Sequence, residues 1–314
     1  MALAVGIDVG GTKIAGGVVD EKGAILATAR RVSPATDTEA IERSIEDLVD
    51  ELRGTFDIAA VGIGAAGFVD SSRSTVLFAP NLAWRDEPLR ADLEKRIGLP
   101  VVVENDANAA AWGEFTYGAG EDVADSLLVT LGTGVGGGIV LNGELHRGAF
   151  GVAAEIGHMR VVPDGRLCGC GNRGCWEQYA SGTALVRDTR DQARQGSLIA
   201  RTLVDRAGGD LERITGPLIT EAARDGDAFA QEQLASLGRW VGEGIASLTA
   251  VLDPAVVVLG GGVSEAGDLL LEPVRSHFRA NLTGRSYRPA LEIRAARLGN
   301  KAGMIGAADL ARRP

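Results

Sequence analysis

The sequence predicts an α/β protein built from two α/β domains, and three observations carry that expectation. Short apolar strands alternate with segments of helical periodicity. A β-meander opens the chain, and a second glycine-turned pair of strands echoes it near the middle. Glycine supplies 44 of 314 residues, against a usual share of about 7%, and it collects at strand ends with no collagen-like period. At 45% hydrophobic, the chain can bury a substantial core, and its length suits two domains of ~100–200 residues each.

Leu3 to Ile7, Ile14 to Val19 and Ala24 to Arg31 read as three strands separated by glycine-containing turns. Ile41, Ile45, Leu48, Val49 and Leu52 recur at helical spacing and predict a helix over 38–53. Ala59 to Ile63 then reads as a buried strand, Pro88 to Ile97 as a helix, Val101 to Glu104 as a strand, and Asp106 to about Tyr117 as a helix. That order is βββαβαβα. Ser126 to Leu131 and Gly138 to Leu141 form the second meander, and the chain becomes helical from about Ser181 to Leu252. A strand at Ala255 to Leu259, a helix at Glu265 to Ala280, a strand at Leu291 to Ala295 and a helix at Ala302 to Arg312 complete it. The two halves suggest a duplicated unit.

The formal net charge is −10 and no block of Lys or Arg appears, which argues against nucleic acid or a membrane surface as partner. An anionic ligand must then be held locally, by backbone amides and a cation. No apolar run approaches the ~20 residues of a membrane helix, and Asp8 interrupts the first apolar run before a secretion signal forms. The expected location is the cytoplasm.

His158, Cys168, Cys170 and Cys175 gather every cysteine and one of three histidines into a short segment. Three thiolates and an imidazole match the tetrahedral preference of zinc, and four protein ligands leave no open position, so such a metal is structural. The Cys-x-Cys spacing is tighter than that of a plain zinc knuckle, and Gly169, Gly171 and Gly174 allow the sharp folding it needs. Glu155 and Glu177 flank the cluster, so a metal clamp also fixes two carboxylates and an imidazole in a grouping that suits a polyol.

Three glycine clusters stand at strand ends. Asp8, Val9, Gly10, Gly11, Thr12 and Lys13 join two strands, with backbone N–H groups for a phosphate, Lys13 near its charge and Asp8 placed to orient a hydrated Mg2+. This is not a P-loop, since the Gly-x4-Gly-Lys-Ser/Thr spacing is absent. Gly132, Thr133 and Gly134 open a second turn, and Gly260, Gly261 and Gly262 lie between a strand and a helix, the position of a nucleotide at a helix N-terminus.

Taken with DVGGTK (8–13), GIGAAGFVD (62–70), ENDANAAAWGE (104–114), LGTGVGGG (131–138), EIGHM (155–159), CGCGNRGCWE (168–177) and LGGGVSEAG (259–267), the chain resembles the ROK family of bacterial sugar kinases and regulators, its ATP-dependent glucokinases above all. The segment Asn81-Leu82-Ala83-Trp84 departs slightly from the proline-containing form of its relatives.

The resemblance implies a ribonuclease H-like actin/hexokinase fold: two α/β domains with an interdomain cleft, a small one over 1–110 plus 300–314 and a large one over 111–299. It implies that Asp106 is the catalytic base and that Gly67, Asn81, Asn105, Asp106, Glu155, His158 and Glu177 form the sugar site. The 131–138 loop falls to phosphate and 259–267 to adenosine. ATP is the implied donor, with Mg2+ on the nucleotide, Zn2+ in the protein, and a homodimer or homotetramer as the assembly. Asp106 also reads as a helix N-cap, a role that does not exclude catalysis. Trp84, Trp112 and Trp176 read as core residues and fluorescence reporters. Another hexose, such as an N-acetylhexosamine or fructose, is the alternative substrate. A sugar-sensing repressor is a weaker alternative, because such relatives carry a helix-turn-helix ahead of the first strand, and here that strand begins at Leu3.

Overall fold

The computed structural model describes residues 2–289 and 291–313. Met1 and Pro314, the outer ends of the expected small domain, lie outside the described residues. The chain divides into two compact units, one of residues 1–128, 137–154 and 296–314 and one of residues 129–136 and 155–295.

The first unit opens with β1 (Leu3–Val9), β2 (Lys13–Val19), β3 (Ile25–Val32), α1 (Thr38–Arg53) and β4 (Ile58–Ala65). A small antiparallel sheet follows, of β5 (Phe68–Val69), β6 (Val76–Phe78) and β7 (Arg85–Glu87). Then come α2 (Leu89–Ile97), β8 (Val101–Asn105) and α3 (Asp106–Tyr117). The main sheet runs β3-β2-β1-β4-β8, with β1, β4 and β8 parallel to one another and β2 antiparallel to β1.

Strand alternation decides which helix covers which face. Val5, Ile7 and Val9 of β1 and Val61, Ile63 and Ala65 of β4 join Ile41, Ile45, Leu48, Val49 and Leu52 of α1 in one core. The Asp37 side chain caps α1 by accepting from Ala40 N at 3.0 Å.

The opposite face carries Ala4, Gly6 and Gly62 and receives the last helix, α10 (Ala302–Ala311). A Cβ on Gly6 would stand 1.8 Å from Met304 O, and one on Gly62 would stand 1.9 Å from Ala307 O. The helix backbone therefore lies directly on the strands. The expected boundary at 110/111 would cut α3, but α3 lies wholly in the first unit because α10 packs along it, with Gly306 against Ala109 O.

The second sheet contains β9 (Ser126–Leu131), β10 (Val135–Leu141), β11 (Glu144–Leu145), β12 (Val256–Gly260) and β13 (Glu292–Ala295), in the order β11-β10-β9-β12-β13. That order repeats the first sheet's, which realises the duplication suggested by the glycine-turned meanders. The stretch from about 181 to 252, expected to be helical, is divided among several helices. It forms α5 (Gly182–Arg194), which follows the short α4 (Glu177–Ala180), then α6 (Arg201–Arg206), α7 (Gly216–Arg224) and α8 (Ala228–Leu252). Glycines at 196, 208, 209 and 226, all in the left-handed region, stop the turns between them. After β12 comes α9 (Asp268–Asn281), pressed onto α8 where Gly238 and Gly242 leave room for Pro273 and Val274. Among the described residues no helix is long and apolar enough to cross a membrane.

Candidate functional site

In the first unit the parallel strands deliver the candidate residues to one sheet edge. Asp8 pairs in register with Gly64, and Ala65 with Asn105, so Asp8, Gly67 and the Asn105–Asp106 pair all lie at or just beyond the carboxyl ends of β1, β4 and β8. Ligands of open α/β sheets bind there.

The N-cap of α3 is Asn105, which corrects the reading of Asp106 as the cap. The Asn105 side chain accepts from Asn108 N at 3.0 Å, and its Nδ2 donates to Gly67 O at 3.1 Å. One amide donor and one lone pair remain for a ligand. Asp106 is instead the half-buried first residue of the helix, where the positive end of the helix dipole favours an ionised carboxylate.

The Asp8–Lys13 turn closes through a hydrogen bond from Gly10 N to Lys13 O at 3.0 Å. Gly11 backs onto the exposed Asn81, since a Cβ there would meet Asn81 O at 3.0 Å. Thr12 and Lys13 are exposed. Burial raises the Asp8 carboxyl above its ordinary range, with the Lys13 ammonium opposing the shift, a setting in which a divalent cation is a fitting neighbour. Gly67 tolerates no side chain, because a Cβ would lie 2.5 Å from Phe78 O. The Asn81-Leu82-Ala83-Trp84 loop is shaped by buried Leu82 and Trp84 and by Arg85 Nη1, which donates to Ala79 O, Leu82 O and Trp84 O. Nothing local in the sequence announces this arginine clamp.

In the second unit the Gly132-Thr133-Gly134 turn is pinned by the start of α5. Gly182 N donates to Gly132 O at 2.8 Å and Thr183 Oγ1 to Thr133 O at 2.7 Å. Gly261, at φ 85, packs on the Leu131 backbone. The sequence predicts that the helix beyond Gly260–Gly262 begins at Glu265. The structure instead forms a 3-10 turn over Gly262–Ala266 and breaks at Gly267, φ 64, before α9. Thr133, Thr183, Gly262 and Val263 line a cavity of about 1040 Å³ whose lining also includes Arg190 and Arg224. Its size suits a nucleotide.

The metal candidate is assembled as expected. Ligand atoms of His158, Cys168, Cys170 and Cys175 all lie within 4.8 Å of one another, and the cysteines are free of disulfides. His158 Nδ1 is 3.7 Å from Cys168 Sγ, and Cys170 Sγ is 3.6 Å from Cys175 Sγ. A tetrahedral zinc with bonds of ~2.0–2.3 Å sets ligand atoms about 3.6–3.7 Å apart, so this donor set fits the ion. Gly171 and Gly174 take left-handed φ of 89 and 75, and a Cβ on Gly174 would stand 1.6 Å from Val162 O. Gly169 needs no such freedom. Burial raises the Cys168 thiol to about 12 and also raises Cys175, so thiolates here call for a cation.

The two flanking acids meet this cluster. His158 Nε2 faces Glu155 Oε2 at 3.9 Å, and Cys168 Sγ donates to Glu177 Oε1 at 2.9 Å. A Cβ on Gly134 would stand 2.7 Å from Glu177 Oε2. Trp176 is fully buried, with Nε1 donating to Trp240 O at 2.8 Å, and Trp84 and Trp112 are also core residues.

The structure thus groups Asp8–Lys13, Gly67, Asn81, Asn105 and Asp106 within the first unit. Within the second it groups Gly132–Gly134, Gly260–Gly262, Glu155, His158, Glu177 and the cysteines. The model of the ROK family matches residues 4–314. The chain belongs to the ROK family.

The glucokinase of Streptomyces coelicolor is 52% identical over 314 residues, covering 100% of this chain and 99% of that protein. The crystal structure of a ROK family glucokinase from Streptomyces griseus in complex with glucose and AMPPNP is 54% identical with a TM-score of 0.91, and the match covers 100% of both chains. The xylose repressor of Bacillus subtilis is 28% identical over 98% of this chain and 76% of its own length. The architecture is accordingly that of ROK sugar kinases with the actin/hexokinase-like fold.

Proposed function

We propose that the protein transfers the γ-phosphoryl group of ATP to the 6-hydroxyl of D-glucose, giving ADP and D-glucose 6-phosphate. The observation that carries this reading is the full-length likeness to the glucose- and AMPPNP-bound Streptomyces griseus glucokinase, at 54% identity and a TM-score of 0.91.

In the reaction the 6-hydroxyl oxygen forms a bond to the γ-phosphorus, and the bond from that phosphorus to the β,γ-bridging oxygen breaks. ADP leaves with the electron pair. The hydroxyl proton passes to a carboxylate oxygen of Asp106. Because the transition state is loose, the proton moves late, and an ordinary carboxylate suffices as base.

Asn81, Asn105, Glu155, His158 and Glu177 hold the sugar hydroxyls, and the Nε2 side of His158, which faces Glu155, is oriented for this when Nδ1 serves the metal. Zinc, held by His158, Cys168, Cys170 and Cys175, supplies rigidity to the sugar grip. Asp8 orients the hydrated Mg2+ that accompanies the nucleotide and offsets its charge. The turns at Gly10–Thr12 and Gly132–Gly134 present backbone amides to phosphate, and Gly260–Gly262 borders the adenosine.

A coupled assay on purified protein with glucose, mannose, fructose and N-acetylhexosamines, each with ATP and with polyphosphate, tests the reading. The highest kcat/KM is expected for glucose with ATP. A preference for another hexose would move the substrate assignment within the family, and an absence of sugar phosphorylation would overturn it. Light scattering tests the homodimer or homotetramer that the family resemblance implies.

A further inference from the structure

One buried ion cluster stands directly behind the candidate base. Glu104, whose side chain is 1% exposed, immediately precedes the Asn105 cap. Its Oε1 accepts from Asn105 N at 3.0 Å and from Asn108 Nδ2 at 3.1 Å, so the carboxylate grips both sides of the strand-to-helix turn that presents Asp106. Its Oε2 is met by two guanidinium groups, Arg147 Nε at 2.8 Å and Arg73 Nε at 3.2 Å. The Arg147 contact is close without being aligned as a hydrogen bond, so charge compensates both buried atoms.

Each arginine is held in place. Arg73 takes a left-handed φ of 57, a conformation that non-glycine residues rarely keep without a function for it. Arg147, 11% exposed, donates Nη1 to Ser71 O and Nη2 to Asp70 O, each at 2.8 Å. Gly151, at φ 87, lies flush on the same turn, where a Cβ would stand 2.4 Å from Val69 O. The segment 147–151 is therefore docked twice onto residues 69–71, and it runs on in sequence to Glu155.

We propose that Arg147 is a positioning residue for phosphoryl transfer. Through Glu104 it fixes the junction that carries Asn105 and Asp106, and through the Asp70 and Ser71 carbonyls it ties that junction to the turn at residues 69–71. The inference rests on the reading of Asp106 as base. A guanidinium is required because one planar fork must serve a carboxylate and two carbonyls at once, which a lysine ammonium does only in part.

The test compares Arg147→Met, Arg147→Lys, the paired Glu104→Gln/Arg147→Met and Asp106→Asn, with kcat, both KM values and thermal stability measured for each. Misplacing a reacting group by about 1 Å costs on the order of a hundredfold, so Arg147→Met is expected to lower kcat by about tenfold to a hundredfold, with KM for ATP held within about twofold. Arg147→Lys is expected to recover part of that loss. A folded Arg147→Met with unchanged kcat would overturn the proposal, as would a kcat loss that only tracks the folded fraction. If Arg147→Met does not fold, full kcat in Arg147→Lys and in the paired variant overturns it equally. Turnover retained by Asp106→Asn is a separate result, and it sinks the base assignment whatever Arg147 does.

Discussion

Cys168 Sγ lies 2.9 Å from Glu177 Oε1, while Glu177 Oε2 lies against the Gly134 turn. One carboxylate thereby joins the metal candidate to the phosphate-loop candidate within the second unit. Disturbing the cysteines must move a group assigned to sugar.

Metal removal tests that linkage. Wild-type protein is expected to carry zinc by elemental analysis, and a chelator is expected to raise KM for glucose before the protein unfolds. Zinc-free protein that stays folded with its KM for glucose unchanged would refute the shared role.

The Asp106 and Asn105 variants separate chemistry from capping. Asp106→Ala is expected to lower kcat by about 10²–10⁴-fold while zinc content and Tm hold. Asn105→Ala removes a helix cap and the bond to Gly67 O, so it is expected to cost about 1–2 kcal/mol in urea unfolding. Equal turnover in Asp106→Ala and wild type would end the base assignment.

Gly62→Ala probes the seat of α10. The added methyl would begin 1.9 Å from Ala307 O, and backbone cannot give way as a flexible side chain can. A loss of about 1–3 kcal/mol or more is expected, read as a lower Tm. An unchanged Tm would show that α10 does not press on this strand.

The pH dependence of stability has an identifiable contributor in Glu87. Burial first, then the Glu42 and Asp92 carboxylates, raise it to about 7, although Arg96 pairs with Glu42 at 3.0 Å. The folded state then binds the proton more tightly than the unfolded chain, so this stabilisation is present below the ordinary value of 4.5 and is lost as pH rises toward about 7. Calorimetry is expected to show Glu87→Gln raising Tm at pH 8 with little effect at pH 4. Parallel Tm curves for variant and wild type would contradict the assignment.

Much of this was legible from residues whose partners are close in sequence. The helix over 38–53 appears with those bounds because five apolar positions and an Asp cap agree, and the Cys3His set closes because its ligands share one short loop. Long-range partnerships were not legible. Nothing local to Arg147 announces Glu104, 43 residues away by position number, and nothing in 84–86 marks Arg85 as the clamp of its own loop. The breaks within the helical stretch were not legible because apolar periodicity persists across the glycines that end each turn. Asp106 reads from sequence as a cap because Asn and Asp serve that place equally well, and only the hydrogen bond to Asn108 N separates them.

The face of the first sheet that bears Ala4, Gly6 and Gly62 has a covering encoded near the far end of the sequence, in α10. While a ribosome is still producing the chain, that surface stays bare until residues 302–311 emerge. Closure of this unit therefore waits on residues made long after its strands, and a nascent chain stalled short of them presents an uncovered strand face to chaperones and proteases.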